Sequence, residues 1–135
     1  MSPRYMLDTN VLFSLMRDPD GEIASRIKAV GEHSICCSIV VAAELRYGAE
    51  KKQSSELTRR VDAALSAIHI LPLSSPVDRI YARIRAELAS IGTPIGPNDL
   101  FIAAHALAEQ LTLVTANEKE FRRISALSVE NWELG

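Results

Sequence analysis

Cysteine is almost missing from this chain: the only two are neighbours, Cys36 and Cys37, in the apolar segment His33 to Cys37. Adjacent side chains of an extended segment point to opposite faces, which disfavours a bridge between them. They read as small buried strand residues rather than as a redox or metal pair. Long hydrophobic runs are missing too. The longest are short stretches such as Ile39 to Ala43, against the roughly 20 residues that cross a bilayer, so no membrane helix is expected. The N-terminal residues Met1-Ser2-Pro3-Arg4-Tyr5 pass straight into a strand-like segment, without the apolar stretch and small-residue cleavage site of a secretory signal. A cytoplasmic protein is expected. Nor is there an excess of basic charge: the formal net charge of −2 excludes a generally cationic nucleic-acid coat. It leaves room for a nuclease, because a metal-loaded acidic site attracts phosphate and local basic clusters can hold a backbone. Such clusters occur at Lys51-Lys52, Arg59-Arg60, Arg79/Arg83/Arg85 and Arg122-Arg123. Taken singly, each fits a solvated helix face better.

What the chain does have is apolar material, 47% of 135 residues, enough for one core and too little for two. Residues 1–135 are therefore read as a single domain. Strand-length apolar runs alternate with longer helical patterns, the sign of an α/β domain with a mostly parallel central sheet flanked by helices. A first strand is predicted at Tyr5 to Asp8, then a helix through Val11, Leu12 and Leu15 ending near Asp18-Pro19, and a second from Gly21 to Val30. The strand His33 to Cys37 leads to Ser38, a good N-cap for a helix from Ile39 to Ala49. A polar helix follows at about Ser54 to Ala67, then a strand-like His69 to Leu71. Ser75 as cap and Pro76 in its favoured first position open a long helix to about Ser90, stopped by Gly92. Gly96-Pro97 starts a helix to Glu109, followed by the strand Leu111 to Thr115 and a helical turn around Glu118 to Arg122. Ligands in such sheets collect beyond the carboxyl ends of the strands, where Asp8 and Thr115 both fall.

Three acids look out of place. Asp8 ends the first strand and is followed by Thr9-Asn10, so its carboxylate projects from the sheet edge at the start of a helix. Helix capping accounts for it equally well. On a helical wheel Glu44 falls between Val40 and Val41, with Gly48 one turn on, which places a carboxylate on the inward face. Burying it there is costly unless the charge is paired or binds a cation; a salt bridge to an arginine is the other reading. Asp99 heads a stripe of Ile102, Ala103, Ala106 and Leu107 on the helix from Pro97. In that first turn a helix-dipole role worth about 0.3 to 1 kcal/mol is also open to it.

Three acids able to converge would repel one another without a counter-ion. Oxygen ligands with no Cys/His cluster fit Mg²⁺, with Mn²⁺ as substitute, better than Zn²⁺. Mg²⁺ so held keeps several waters and takes phosphate oxygens from a substrate, which points to phosphodiester hydrolysis by an activated water. The histidines His33, His69 and His105 are scattered, and nothing resembles a nucleophile with a dedicated base.

Four segments, in order and spacing, resemble the motifs of VapC toxins of type II toxin–antitoxin systems. They are Met6 to Leu12, Glu44 to Ala49, Gly92 to Asp99 with Ile102 to Ala106, and Leu113 to Asn117 closing with Glu120-Phe121. The resemblance covers nearly the whole chain and implies a PIN-like fold. It further implies an endoribonuclease that cleaves structured RNA such as tRNA, forms a homodimer, and is silenced by a small VapB-like antitoxin. It places metal binding on Asp8 and Asp99, supporting carboxylates on Glu44 and Glu120, and polar support or substrate contact on Thr115 or Asn117, with Thr9 and Asn10 beside Asp8 in the first motif. Many relatives carry an Asp near Asn117, and the amide here leaves the fourth acid open. Glu120 shares one face of a short helical turn with Asn117, so it is the available carboxylate, and Asn117→Asp should then be tolerated. Asn117 as N-cap with Glu120 as capping-box partner fits nearly as well. The helices Ile39 to Ala49 and Ser54 to Ala67 offer apolar surface for a second copy and for an antitoxin segment, whose basic side chain could replace the cation among the carboxylates.

Two other functions are weaker. A phosphotransferase or phosphatase using Asp8 as nucleophile wants an acid two residues on, where Asn10 stands, and a lysine after a strand end, which is missing. A non-catalytic PIN-like module would be marked by loss of acids, and Asp8, Glu44 and Asp99 are all present.

Overall fold

A strand buried on both faces needs apolar side chains at successive positions instead of alternate ones. Strand β1 (Tyr5–Leu7) meets that demand: Met6 and Leu7 are both fully buried. In the computed structural model, which describes residues 2–134, β1 is the middle strand of a five-stranded sheet. Met1 and Gly135, the two ends of the expected domain, lie outside the described residues. The other strands are β2 (Ile35–Ser38), β3 (His69–Leu71), β4 (Thr112–Val114) and β5 (Val129–Glu130), in the spatial order β3-β2-β1-β4-β5. Every pairing is parallel, with Tyr5 opposite Ile35 on one side and Thr112 on the other.

Seven α-helices accompany the sheet among the described residues: α1 (Thr9–Arg17), α2 (Glu22–Val30), α3 (Ile39–Lys52), α4 (Ser55–Ser66), α5 (Val77–Ser90), α6 (Pro97–Ala108) and α7 (Glu118–Phe121). The expected α/β architecture is therefore present. Ser38 caps α3 as anticipated, its Oγ accepting the Val40 N–H at 3.1 Å, and Ser54 caps α4 by accepting from Leu57. Gly92 ends α5 with φ of 74°, a left-handed conformation that costs glycine little.

The structure corrects the sequence reading at several points. His33 and Ser34 form a 3₁₀ turn (Glu32–Ser34), so β2 starts at Ile35 and runs through Ser38. Ser75 does not cap α5: the Ser75–Pro76 peptide is cis, Pro76 itself occupies the cap position, and backbone bonds to the Pro76 carbonyl close the first turn. Strand β5 and the 3₁₀ turn Trp132–Leu134 went unpredicted. A two-residue strand carries no readable period.

The order of strands positions the site. The chain builds outward from β1 through β2 to β3, then returns to the other side of β1 for β4 and β5. The reversal falls between β1 and β4, and ligands of open parallel sheets bind at such a switch beyond the carboxyl ends. The residues just past those ends are Asp8 and Thr115, and Asp8 N–H donates to the Val114 carbonyl at 2.9 Å. Among the described residues no helix is long and apolar enough to cross a membrane.

Candidate functional site

Asp8 leaves β1 and caps α1, with its Oδ1 accepting the Thr9 N–H at 2.8 Å. Its other oxygen accepts from the Thr115 hydroxyl at 2.7 Å and from the Asn10 amide at 3.4 Å. The cap read for Asp8 on sequence forms, and the same carboxylate also takes the Thr115 and Asn10 donors. Only 3% of Asp8 is exposed. Burial raises its pKa above the ordinary value; the bonds from Thr115 and Thr9 oppose that rise, while Glu44 and Glu120 add to it.

Thr115, fully buried at the end of β4, is the hub of the network. Besides donating to Asp8, its Oγ1 accepts the Asn117 N–H at 3.0 Å. Asn10 ties the same corner from the other side, its Oδ1 accepting the Ala116 N–H at 3.1 Å. The residues read as polar support thus brace the carboxylates and one another.

Glu44 is not on the inward face of α3. The buried stripe is Val41, Ala42, Leu45 and Ala49, and Glu44 is half-buried at its flank. The wheel was correct to a third of a turn, but the stripe follows the packing of α3 on its neighbours, which moves Glu44 to the edge that looks toward α1. There its Oε1 accepts from the Thr9 hydroxyl at 2.5 Å. Among the described residues Glu44 makes no salt bridge to an arginine; the nearby Arg46 pairs with Asp62.

Asp99 lies in the first turn of α6, half-buried, with its carboxyl pushed up to about 6. Burial is the main cause, followed by the charges of Asp8, Glu120 and Glu44. The stripe that made it conspicuous is less distinct than expected, because α6 buries Leu100 and every residue from Ile102 to Ala106.

Glu120, on α7, accepts the Asn117 side-chain N–H at 2.8 Å. The capping box does not form: Asn117 stands at the cap position of α7 but makes no side-chain cap bond. Its amide clamps Glu120 instead, and Glu118 points away to Arg122. Four carboxylates are thereby gathered at one sheet edge, with the charges of Glu44 and Glu120 acting on both Asp8 and Asp99. Among the described residues none of the four takes part in an ion pair; the pairs that exist are Arg26–Glu130, Arg46–Asp62 and Arg122–Glu118.

A groove of about 780 Å³ opens beside the acids, with Thr9, Phe13, Val40, Glu44, Tyr47 and Phe101 in its walls. The cysteines take no part: both are free and buried in β2, and burial pushes their thiols up to about 12. What the sequence reading missed was the specific pairing of Thr9 with Glu44. Its only signal was the hydroxyl beside Asp8 in the first motif.

A parallel five-stranded sheet whose switch point gathers unpaired carboxylates, braced by threonine and asparagine, defines an acidic-site hydrolase class, and the PIN domain family matches residues 5–127. Ribonuclease VapC2 of Rickettsia felis is 40% identical over 96% of this chain and 98% of its own length. The tRNA(fMet)-specific endonuclease VapC of Shigella flexneri is 36% identical over the same shares. Among solved structures, VapBC2 from Rickettsia felis bound to a DNA fragment from its promoter superposes with a TM-score of 0.89 at 38% identity, covering 95% of this chain and 98% of that one. The chain belongs to the PIN-domain family and, within it, to the VapC ribonucleases.

Proposed function

We propose that the protein is a Mg²⁺-dependent endoribonuclease toxin that hydrolyses phosphodiester bonds in structured RNA, with tRNA the first substrate to test. The observation that carries this reading is the gathering of Asp8, Glu44, Asp99 and Glu120 without a single ion pair among the described residues. An all-oxygen donor set of that charge fits a hard divalent cation. Among the described residues no group of three or more acid, histidine or cysteine side chains is placed to hold an ion by itself; Mg²⁺ is an ion held by one or two carboxylates and otherwise by water and phosphate.

Asp8 and Asp99 would hold the ion. When bound, it would supply positive charge to the scissile phosphate and acidify the attacking water. Thr115, Thr9 and Asn10 fix the Asp8 carboxylate so that its charge does not have to reorganise during reaction. Thr9 holds Glu44, and Asn117 holds Glu120, at the rim where a proton can be accepted.

The inhibitor would be a VapB-like antitoxin, as in the Rickettsia felis complex, inserting a basic side chain among the four acids. A second copy of the chain would cover exposed Ile39 and Tyr47 on α3. Such an activity belongs in the cytoplasm with its RNA. The test is to induce the chain in cells and map new RNA 5′ ends, with Asp8→Asn as control. Discrete cuts in one RNA class, absent from the control, are expected. Cuts that persist in the control, or cleavage by purified protein that survives excess EDTA, would overturn the reading.

A further inference from the structure

His105 has no part in the chemistry just described, yet it is fully buried in the last turn of α6, the helix whose first turn carries Asp99. Its Nδ1 lies 2.8 Å from Ser38 Oγ. Ser38 in turn closes β2 and caps α3, the helix that carries Glu44, by accepting the Val40 N–H. Ser38 is itself buried, so its hydroxyl proton has no access to water. With the serine donating to an unprotonated Nδ1, the hydroxyl proton is used inside the fold and the imidazole proton sits on Nε2. Among the described residues Nε2 has no hydrogen-bond partner, and the Pro72 backbone beyond β3 acts on the ring. Burial lowers the pKa of the imidazole against the pull of Glu109 and that backbone, which keeps the ring neutral.

The consequence concerns spacing. Packed apolar side chains let two helices slide by fractions of an ångström at little cost, whereas a buried hydrogen bond is directional and breaks. Displacing a reacting group by about 1 Å can cost on the order of 100-fold in rate. We propose that His105 is a positioning residue of the ribonuclease: through Ser38 it ties the N-terminal turn of α3 to the last turn of α6 and so fixes Glu44 relative to Asp99. This inference rests on Glu44 and Asp99 being carboxylates of the reactive site.

The experiment measures kcat and KM separately, with thermal midpoints, on an RNA that the parent protein has been shown to cut. The variants are His105→Leu, His105→Asn, Ser38→Ala, the Leu/Ala double variant and Asp99→Asn. Losing the bond from either side should lower kcat about tenfold at unchanged KM, the effect expected when a supporting hydrogen bond to a ligand is removed. The double variant should be no slower than Ser38→Ala, which already removes the shared bond together with the cap on Val40. Asn at 105 can still offer an acceptor to Ser38 and should recover kcat to within about threefold of the parent. A merely structural histidine predicts otherwise: activity would follow the thermal midpoint, the double variant would be additive, and Asn would do no better than Leu. Any of these results overturns the proposal. If His105→Leu does not fold, Ser38→Ala decides, and parental kcat there is fatal. Parental kcat in Asp99→Asn would remove the site reading and the His105 role with it. An inactive Asp99→Asn beside a parental Ser38→Ala would remove the His105 role alone.

Discussion

Asp8 and Asp99 belong to one site and carry the same carboxyl group, but the protein has prepared them differently. Asp8 is almost wholly buried and receives three hydrogen bonds, from the Thr9 backbone, Thr115 and Asn10. Asp99 is half-buried and, among the described residues, receives no side-chain hydrogen bond, so the burial that raises its pKa to about 6 goes unopposed. The difference separates two tasks. Asp8 is a carboxylate held in place by donors that offset part of the cost of its burial, whereas Asp99 has no such donors, and on the proposed function a bound cation would complete its ionisation.

That contrast can be broken most directly by amide substitution. Asp8→Asn and Asp99→Asn should each lower kcat/KM by about 1000-fold or more, as removal of a central catalytic group does. Their stabilities should part. An amide at position 8 cannot accept at both oxygen positions, so one of the donors Thr115, Asn10 or Thr9 loses its partner, at about 1 to 3 kcal/mol. Asp99→Asn leaves no donor stranded and should melt at or above the parental midpoint. Cleavage assays with differential scanning fluorimetry check both, and equal midpoints for the two variants would erase the distinction. Thr115→Val is the next largest effect. It keeps the shape of the side chain but removes the donor to Asp8 and the acceptor for Asn117. Activity should fall about 10- to 100-fold, and Thr115→Ser should restore most of it.

How much of this could be read without coordinates differs between the same two acids. Asp8 was legible because an acid at the end of an apolar strand, followed by Thr9 and Asn10, is a local pattern, and the switch-point rule gives its place. Asp99 was legible as an acid at the head of an apolar helix, although α6 proves buried nearly all round and the stripe was less informative than it looked. Glu44 was picked out for a reason that was partly wrong: the wheel put it inside, and only tertiary packing shows it on the flank, held by a hydroxyl 35 positions away. Sequence periodicity reports one helix at a time and cannot show which neighbour shares its edge. The same limit hid the Ser38 to His105 bond, which joins residues 67 apart. Strand β5, at two residues, is too short to carry any pattern.

Glu120 sharpens the comparison from a third side. It has one donor, the Asn117 amide at 2.8 Å, and so lies between Asp8 with three and Asp99 with none. Glu120→Gln removes the charge at constant shape, and we expect cleavage at least about tenfold slower with a midpoint within a few degrees of the parent. Parental cleavage would reduce the site to Asp8, Glu44 and Asp99. Asn117→Asp, tolerable on sequence grounds, acquires a different expectation from the clamp. It removes the donor and sets a like charge against Glu120, so it should slow cleavage about as much as Glu120→Gln does.

The smallest effect is one of stability, and it isolates Asp99. An acid whose folded pKa exceeds its unfolded value holds its proton more tightly when folded. Between the two values the folded state binds more protons than the unfolded one, so stability falls as pH rises. For Asp99 that window runs from the ordinary 3.8 to about 6. The cost is absent below the window and fully present above it. Asn at 99 cannot ionise and carries no such cost at any pH. In metal-free buffer Asp99→Asn should therefore melt above the parent at neutral pH, by about 2 to 5 °C on the usual scaling for a domain of this size. The gap should close as the buffer is acidified through the window, where the parental Asp99 takes up its proton. The other carboxylates are the same in both proteins, which leaves the difference to Asp99. Saturating Mg²⁺ at neutral pH should shrink or reverse the gap, because the parent alone keeps the charge that the cation stabilises. A gap independent of pH would mean that the Asp99 carboxyl is solvated like any surface acid, and the contrast with Asp8 would then lie in their hydrogen bonds alone.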